Sequence, residues 1–245
     1  MKIAVCSMFR DSQLWHGIPT LQVDNYISQL VSMNDDYEYI VYAAEGDSVD
    51  NTRERLEYYQ EHLTEGTFNI IDAPSAADVV GSVASNDRFA KLAAITNKIF
   101  DVVKNIEADY VFLVESDLII TNKDLVKILV EFIEGNPKVG IVAPQILYNN
   151  HGEICFYDTW GFRNTDDIMV PDTINNHLNG QIVKMNAVGS CAIIRHSLIK
   201  DGVNLGTGGW PEMCRQIREK GFLAILYSAL AVFHPTNVFI KNRWV

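Results

Sequence analysis

Residues 109–122 read "DYVFLVESDLIITN". Five apolar residues, Tyr110 to Val114, break off at Glu115-Ser116-Asp117, and an apolar triplet, Leu118 to Ile120, follows. An apolar run of this length, rich in β-branched and aromatic side chains and without polar alternation, is the pattern of a strand buried on both faces. Two carboxylates and a hydroxyl at its end are costly to bury without partners. The strand must therefore carry them to an opening, and in sheets built from parallel strands such openings lie at the carboxyl ends.

Outward from this stretch, strands and helices alternate. "KIAVCSMF" (2–9), "YEYIVYAAEG" (37–46), "FNIIDA" (68–73), "DYVFLVES" (109–116) and "VGIVAPQIL" (139–147) read as strands. Between them, 19–34 places Leu21, Tyr26, Leu30 and Met33 at helical spacing, and 48–64 opens on Ser/Asp capping residues. Residues 85–106 set Phe89, Leu92, Ile95, Ile99 and Val103 on one side of a long helix, and 122–137 is a helix stopped by Gly-Asn-Pro. This alternation predicts an α/β fold: a Rossmann-like, mostly parallel central sheet with helices on both faces. After residue 150 the chain turns polar, aromatic and irregular through 180. It then gives a small-residue strand over 183–199, a Gly-rich stretch over 201–212, a helix over 211–221 and a last strand over 222–235. We read 1–245 as one domain.

The 245 residues are 48% hydrophobic, enough for a sizeable core. The net charge of -11, without a Lys/Arg run, argues against nucleic-acid binding through global charge. Cys6, Cys155, Cys191 and Cys214 stand far apart, without the spacing of a zinc site or a disulfide scaffold. The N-terminus lacks the pattern of a signal peptide, and no apolar stretch is long enough to cross a bilayer. The expectation is a cytoplasmic protein without a membrane span.

Glu115 and Asp117, two apart at a strand end, can share one hard cation; Mn2+ and Mg2+ favour such oxygen ligands and complete their shells with water and phosphates. The same residues also read as an acidic strand end before a helix capped by Thr121 or Asn122. His234 follows the last apolar strand, and an imidazole beside a carboxylate suits Mn2+; alone, it equally reads as structural. Arg88, Lys91 and Asn97 fall on the long helix, with Arg88 and Lys91 three apart on one face, either a diphosphate contact or a solvated surface. In "GGWPEMCRQIREKG" Trp210 offers a stacking surface for a sugar. Glu212 sits in the first turn of a helix, as a dipole partner or as an acceptor-binding base. In "CFYDTWGFR" Tyr157, Trp160 and Phe162 interleave with Asp158 and Arg163, a carbohydrate-recognition texture that core packing would also produce. GxGxxG after the first strand, GxxxxGK[ST], GxSxG and HExxH are all absent.

Taken in order, these pieces resemble a nucleotide-sugar glycosyltransferase of the GT-A type. "FLVESDLIIT" stands where that family has its DxD motif, and "GWPEMCRQIREKGF" resembles its late acidic helix. Closer still is the likeness to the fungal capsule-associated mannosyltransferase-like family, carried by "DRFAKLAAITNKIFD", by Phe156-Tyr157-Asp158-Thr159-Trp160-Gly161-Phe162-Arg163 and by Ser190-Cys191. The likeness spans roughly 80–235. Two positions depart from it: Glu115 stands for the first Asp, and Pro211-Glu212 for Glu-Asp.

The resemblance implies transfer of a sugar from a nucleoside-diphosphate donor to a hydroxyl acceptor. In that reading Glu115, Asp117 and His234 hold Mn2+ or Mg2+, with Ser116 beside them, and Arg88 offsets diphosphate charge. Ser7, Arg10 and Glu45 face the nucleoside from a donor half, 1–120. Glu212 and Asp158 supply the catalytic carboxylates of an acceptor half, 121–245, where Tyr157, Trp160, Arg163 and Trp210 line the sugar and acceptor. A glycan, a lipid-linked sugar, a protein hydroxyl and a hydroxymethylated DNA base all fit as acceptor. Two rival readings are a nucleotidyltransferase, for which the first loop offers only Arg10 as a phosphate ligand, and a non-catalytic carbohydrate- or partner-binding module on the same fold.

Overall fold

The computed structural model describes residues 1–12, 23–64, 66–73, 86–150, 152–170 and 180–235. In chain order its elements are β1 (Lys2–Met8), α1 (Val23–Val31), β2 (Glu38–Glu45), α2 (Thr52–His62), β3 (Phe68–Asp72), α3 (Asn86–Val103), β4 (Tyr110–Val114), α4 (Leu125–Gly135), β5 (Val139–Asn150), β6 (Glu153–Phe156), β7 (Ile182–Met185), β8 (Cys191–Arg195), α5 (His196–Lys200), α6 (Trp210–Glu219) and β9 (Leu223–Phe233). Leu21 and Ser85, included in the helices read from sequence, lie outside the described residues.

All five residues of β4 are buried, as its unbroken apolar run requires. The strand sits inside one nine-stranded sheet of order β3-β2-β1-β4-β8-β5-β9-β7, with β6 paired to β5. Strands β1 to β4 are mutually parallel, β8 runs against both β4 and β5, and β9 runs with β5. Strands β6 and β7 are antiparallel to β5 and β9 respectively. Six strands therefore point one way and three the other. The chain steps outward from β1 through α1 and α2 to β3, then returns through α3 to β4 on the far side of β1. Right-handed crossovers place outward and returning helices on opposite faces, which is why β4 needs apolar side chains on both.

The segment read as one strand over 183–199 is two strands and a helix. β7 and β8 flank an irregular stretch at 186–190, and α5 follows β8 directly. Alternate small residues made the region look continuous, but β7 pairs with β9 while β8 pairs with β4 and β5. The tract from 150 to 180, read as irregular, contains β6, whose Cys155 and Phe156 are buried against β5. The residue capping α4 is Asp124 rather than Thr121 or Asn122, and Asn122 Oδ1 accepts its N–H at 2.9 Å just before the helix.

Arg195, at the end of β8, closes the other end of α4. Its guanidinium donates to the carbonyls of Ile133 (2.6 Å), Asn136 (3.3 Å) and Val139 (2.7 Å). These include the orphan acceptors of a helix C-terminus, where a cation is also favoured by the helix dipole. Arg195→Ala should cost about 2–3 kcal/mol, since charge-assisted bonds are lost from half-buried carbonyls. Urea unfolding with a midpoint unchanged from the parent would refute this role.

Candidate active site

The apolar triplet after Asp117 explains how the acidic end of β4 is held. Leu118 is buried, and Ile119 exchanges backbone hydrogen bonds with Phe233, the last residue of β9, at 2.7 and 2.9 Å. The chain thus doubles back onto β9, whose next residue is His234. His234 Nε2 lies 3.1 Å from Asp117 Oδ2. The ring of Tyr157 stacks on the imidazole with centroids 3.6 Å apart and planes 13° from parallel. Two residues 117 apart in sequence are therefore brought together by the ends of two strands pointing the same way.

The electrostatics of this cluster are uneven. Burial pushes the Glu115 carboxyl well above the usual range, and the neighbouring charges of Asp117 and Asp158 add to the rise. Asp117 is held below it: burial opposes ionisation, but the charge and hydrogen bond of His234 outweigh that, and Arg88 adds to the lowering. Asp158 is raised, chiefly by burial. Two consequences for stability have opposite sign. Asp117, with its lowered value, contributes stability at neutral pH that is lost as pH falls through its folded value. Glu115, with its raised value, contributes fully only below about pH 4.3 and loses that contribution as pH rises. Glu115→Gln should therefore raise the Tm of the metal-free protein at pH 8 by a few °C, corresponding to about 1 kcal/mol, with the gain vanishing near pH 4. A gain that persists undiminished at pH 4 would contradict this.

Asp158 does not stand free in the cleft. Its Oδ1 accepts the Gly161 N–H at 3.0 Å, and its Oδ2 accepts the Ser190 hydroxyl. A Cβ at Gly161 would lie 2.4 Å from Asp158 Oδ2, so glycine is what allows the loop to fold around this carboxylate. Arg163 also serves the loop, donating to the carbonyls of Thr159 (3.0 Å), Trp160 (2.8 Å) and Phe162 (2.9 Å). Phe162 is fully buried, whereas Tyr157 and Trp160 are half-buried. The segment is thus a self-braced loop that presents Tyr157 to His234.

On the other side, Trp210 lies against Gly189, where a Cβ would come within 2.5 Å of the indole Cγ. Glu212 sits in the first turn of α6 with its side chain one-third exposed. Its carboxylate accepts the Gly208 N–H at 3.0 Å and lies 3.6 Å from the Arg215 guanidinium. The Gly-rich loop before α6 is tied to α3 through Asn97, which exchanges hydrogen bonds with Leu205 at 2.9 and 3.1 Å. Gly209 approaches Phe89, the neighbour of Arg88.

The end of β1 lies beside the end of β2. Ser7 is buried, its hydroxyl donating to Val114 O (2.7 Å) and paired with the Tyr26 hydroxyl (2.5 Å). It therefore braces β1 against β4. Ser116 does the same at the strand ends, donating to Met8 O at 2.6 Å. Arg10 is 3.5 Å from Asp47 and 3.8 Å from Asp11. Buried Glu45 accepts the Ser48 N–H at 3.0 Å and lies 3.5 Å from Arg53, a residue the sequence did not single out. Arg53 also pairs with Asp72 at 2.7 Å, in register with Glu45 on the neighbouring strand.

Ser190 and Gly189 were likewise not singled out as site residues. Their role comes from a turn geometry that no spacing rule encodes. Among the described residues, no three His, Cys, Asp or Glu groups are arranged to hold a metal ion on their own. The Glu115 backbone N–H donates to the Ser190 carbonyl at 3.0 Å, and its carboxyl lies within electrostatic reach of Asp117 and Asp158.

No family model matches the chain, and no curated protein sequence does. Solved structures do. Staphylococcus aureus TarS 1-349 in complex with UDP-GlcNAc matches with a TM-score of 0.58 at 13% identity, over 100% of this chain and 62% of that one. The mannosyltransferase PcManGT from Pyrobaculum calidifontis, in complex with GDP-Man and Mn2+, gives 0.58 at 12% identity, over 96% and 57%. GalNAc-T7 with UDP, GalNAc and Mn2+ gives 0.65 at 12% identity, over 97% and 44%. The chain thus spans less than two thirds of each of these proteins. At such identities it is the architecture that is shared, and no helix among the described residues is long and apolar enough to cross a membrane. The nine-stranded sheet, with its acidic strand end beside β8 and β9, has the GT-A glycosyltransferase fold.

Proposed function

We propose that this chain transfers a sugar from a nucleoside-diphosphate donor to an acceptor hydroxyl, with help from Mn2+ or Mg2+. The observation that carries the reading is the Asp117–His234 pair at the adjoining ends of β4 and β9. Asp117 Oδ1 and His234 Nδ1 are both buried and lack a hydrogen-bond partner. Buried polar atoms normally find partners. A carboxylate kept ionised beside an imidazole is a donor set that fits a divalent cation of the Mn2+ type. Asp117 and His234 would hold the ion, with remaining positions left to water and phosphate oxygens; Glu115 would act from behind them. When bound, such an ion supplies positive charge against a diphosphate leaving group.

The protein's own groups do the rest. Arg88, close enough to lower both Glu115 and Asp117, adds charge for the diphosphate. Residues 1–120 form the donor half, with Arg10 and Glu45 at its nucleoside end. Residues 121–245 form the acceptor half. There Glu212, held in place by Gly208 and Arg215 yet partly exposed, is the better placed carboxylate to take a proton from the acceptor, because both oxygens of Asp158 are already engaged. Trp210, with Trp160 and Tyr157 beside the 158–163 loop, offers aromatic surface to the sugar. That segment also carries the likeness to the capsule-associated mannosyltransferase-like family, which makes mannose one of the sugars to test.

The test is a thermal shift with UDP, GDP and their sugars, with and without Mn2+. A ligand at 100 times its Kd stabilises the native state by about 2.7 kcal/mol, a Tm rise of roughly 5–10 °C here. A rise with one nucleotide that needs Mn2+ supports the reading, and slow metal-dependent hydrolysis of the matching nucleotide sugar completes it. Binding without turnover across the panel would favour a non-catalytic module. No shift with any nucleotide would end the proposal.

A further inference from the structure

Ser190 has φ of 58°, one of three residues other than glycine with positive φ among those described. A side chain in this region strains the backbone, and such strain persists where the surroundings impose it, often at functional sites. Ser190 is buried, and its neighbours occupy both its backbone and its side chain. Its carbonyl accepts the Glu115 N–H at 3.0 Å, and its hydroxyl donates to Asp158 Oδ2. The residue before Asp158 is Tyr157, which stacks on His234, which in turn meets Asp117, two residues from Glu115. The contacts close a ring: Glu115, Ser190, Asp158, Tyr157, His234, Asp117. Backbone bonds tie Tyr157 to Ile146 of β5 and Arg163 to Asn186 and Ala187, and the Ser190 hydroxyl is the side-chain link that fastens Asp158, next to Tyr157, to the start of β8.

We propose that Ser190 is a positioning residue: its hydroxyl, presented by a left-handed backbone, anchors the Asp158 loop so that Tyr157 holds the His234 imidazole against Asp117. Glycine would adopt the same backbone without strain. Natural selection of glycine would therefore relieve the turn, and a serine here makes sense through its hydroxyl. The orientation of a ligating histidine is commonly set by groups that do not touch the metal, and their loss typically weakens metal binding 10- to 100-fold. This inference rests on the cation reading above, but its principal test does not need a cation.

The experiment compares the parent with Ser190→Gly and Ser190→Ala. Side-chain NMR of the metal-free protein follows the His234 imidazole, assigned with a His234→Asn variant. In Ser190→Gly the fold persists, with a Tm within about 3 °C of the parent, while the His234 signals shift and broaden. Ser190→Ala loses the hydroxyl but keeps the strain, so its His234 signals change in the same way and its Tm falls further. Calorimetry with Mn2+ then gives a dissociation constant about 10- to 100-fold weaker for both variants. His234 signals identical to the parent in a folded Ser190→Gly protein would overturn the proposal. A parent that binds no Mn2+ while its His234 signals still respond to Ser190→Gly would instead sink the cation reading and leave the positioning role standing.

Discussion

Asp117→Ala should abolish metal-dependent donor turnover, a loss of about a thousandfold or more, while the protein still folds. The size follows from what the carboxylate is asked to supply. Charge stabilisation by a bound cation is worth several kcal/mol in the transition state, and each 1.36 kcal/mol is a factor of ten in rate. His234 alone is a poor site for a hard cation, because the oxygen donor that such ions prefer is gone. The fold survives because the Asp117 side chain is one-third exposed. Turnover of a nucleotide sugar with and without Mn2+ measures the effect, with circular dichroism as the control for folding. Turnover within threefold of the parent would remove Asp117 from the centre of the site.

Phe112→Ala should cost about 3–5 kcal/mol, the range found when a large aromatic is truncated in a core. Phe112 is fully buried in the middle of β4, opposite Val5 of β1 and Ile193 of β8. The sheet has a helix layer over each face there, so the surroundings have little freedom to collapse into the gap. Against a total stability of roughly 5–15 kcal/mol, such a loss brings the protein close to unfolding at physiological temperature. The urea midpoint would fall accordingly. A cost below about 1 kcal/mol would mean that β4 is not the central strand.

The outcome of the sequence reading differs between the two halves of the chain. Up to β5 each strand is a run of apolar residues bounded by polar turns, and the helices between them show spaced apolar stripes, so both the elements and the position of Glu115-Ser116-Asp117 at a strand end were legible. After residue 150 the same rules failed locally. Residues 183–199 are rich in apolar and small side chains, and periodicity cannot tell one long strand from two strands that pair with different partners. Glu153–Phe156 is a strand because β5 continues far enough to pair with it, not because its own four residues favour one.

At the candidate site, sequence named candidate residues but not the contacts they make. Asp158 and Arg163 look like substrate groups as letters. In place, they are occupied by Ser190, by Gly161 and by carbonyls of their own loop. Ser7 likewise is taken up by Val114 and Tyr26.

Sequence by itself determined that a buried strand must end in carboxylates, because patterning and the cost of burying charge act locally along the chain. Tertiary structure alone decided that Asp117 meets His234, that the Glu115 backbone meets Ser190, and that a serine holds a left-handed turn there. Those contacts join residues far apart in the chain, and the sheet order that joins them is set by the packing of whole elements rather than by any short stretch of residues.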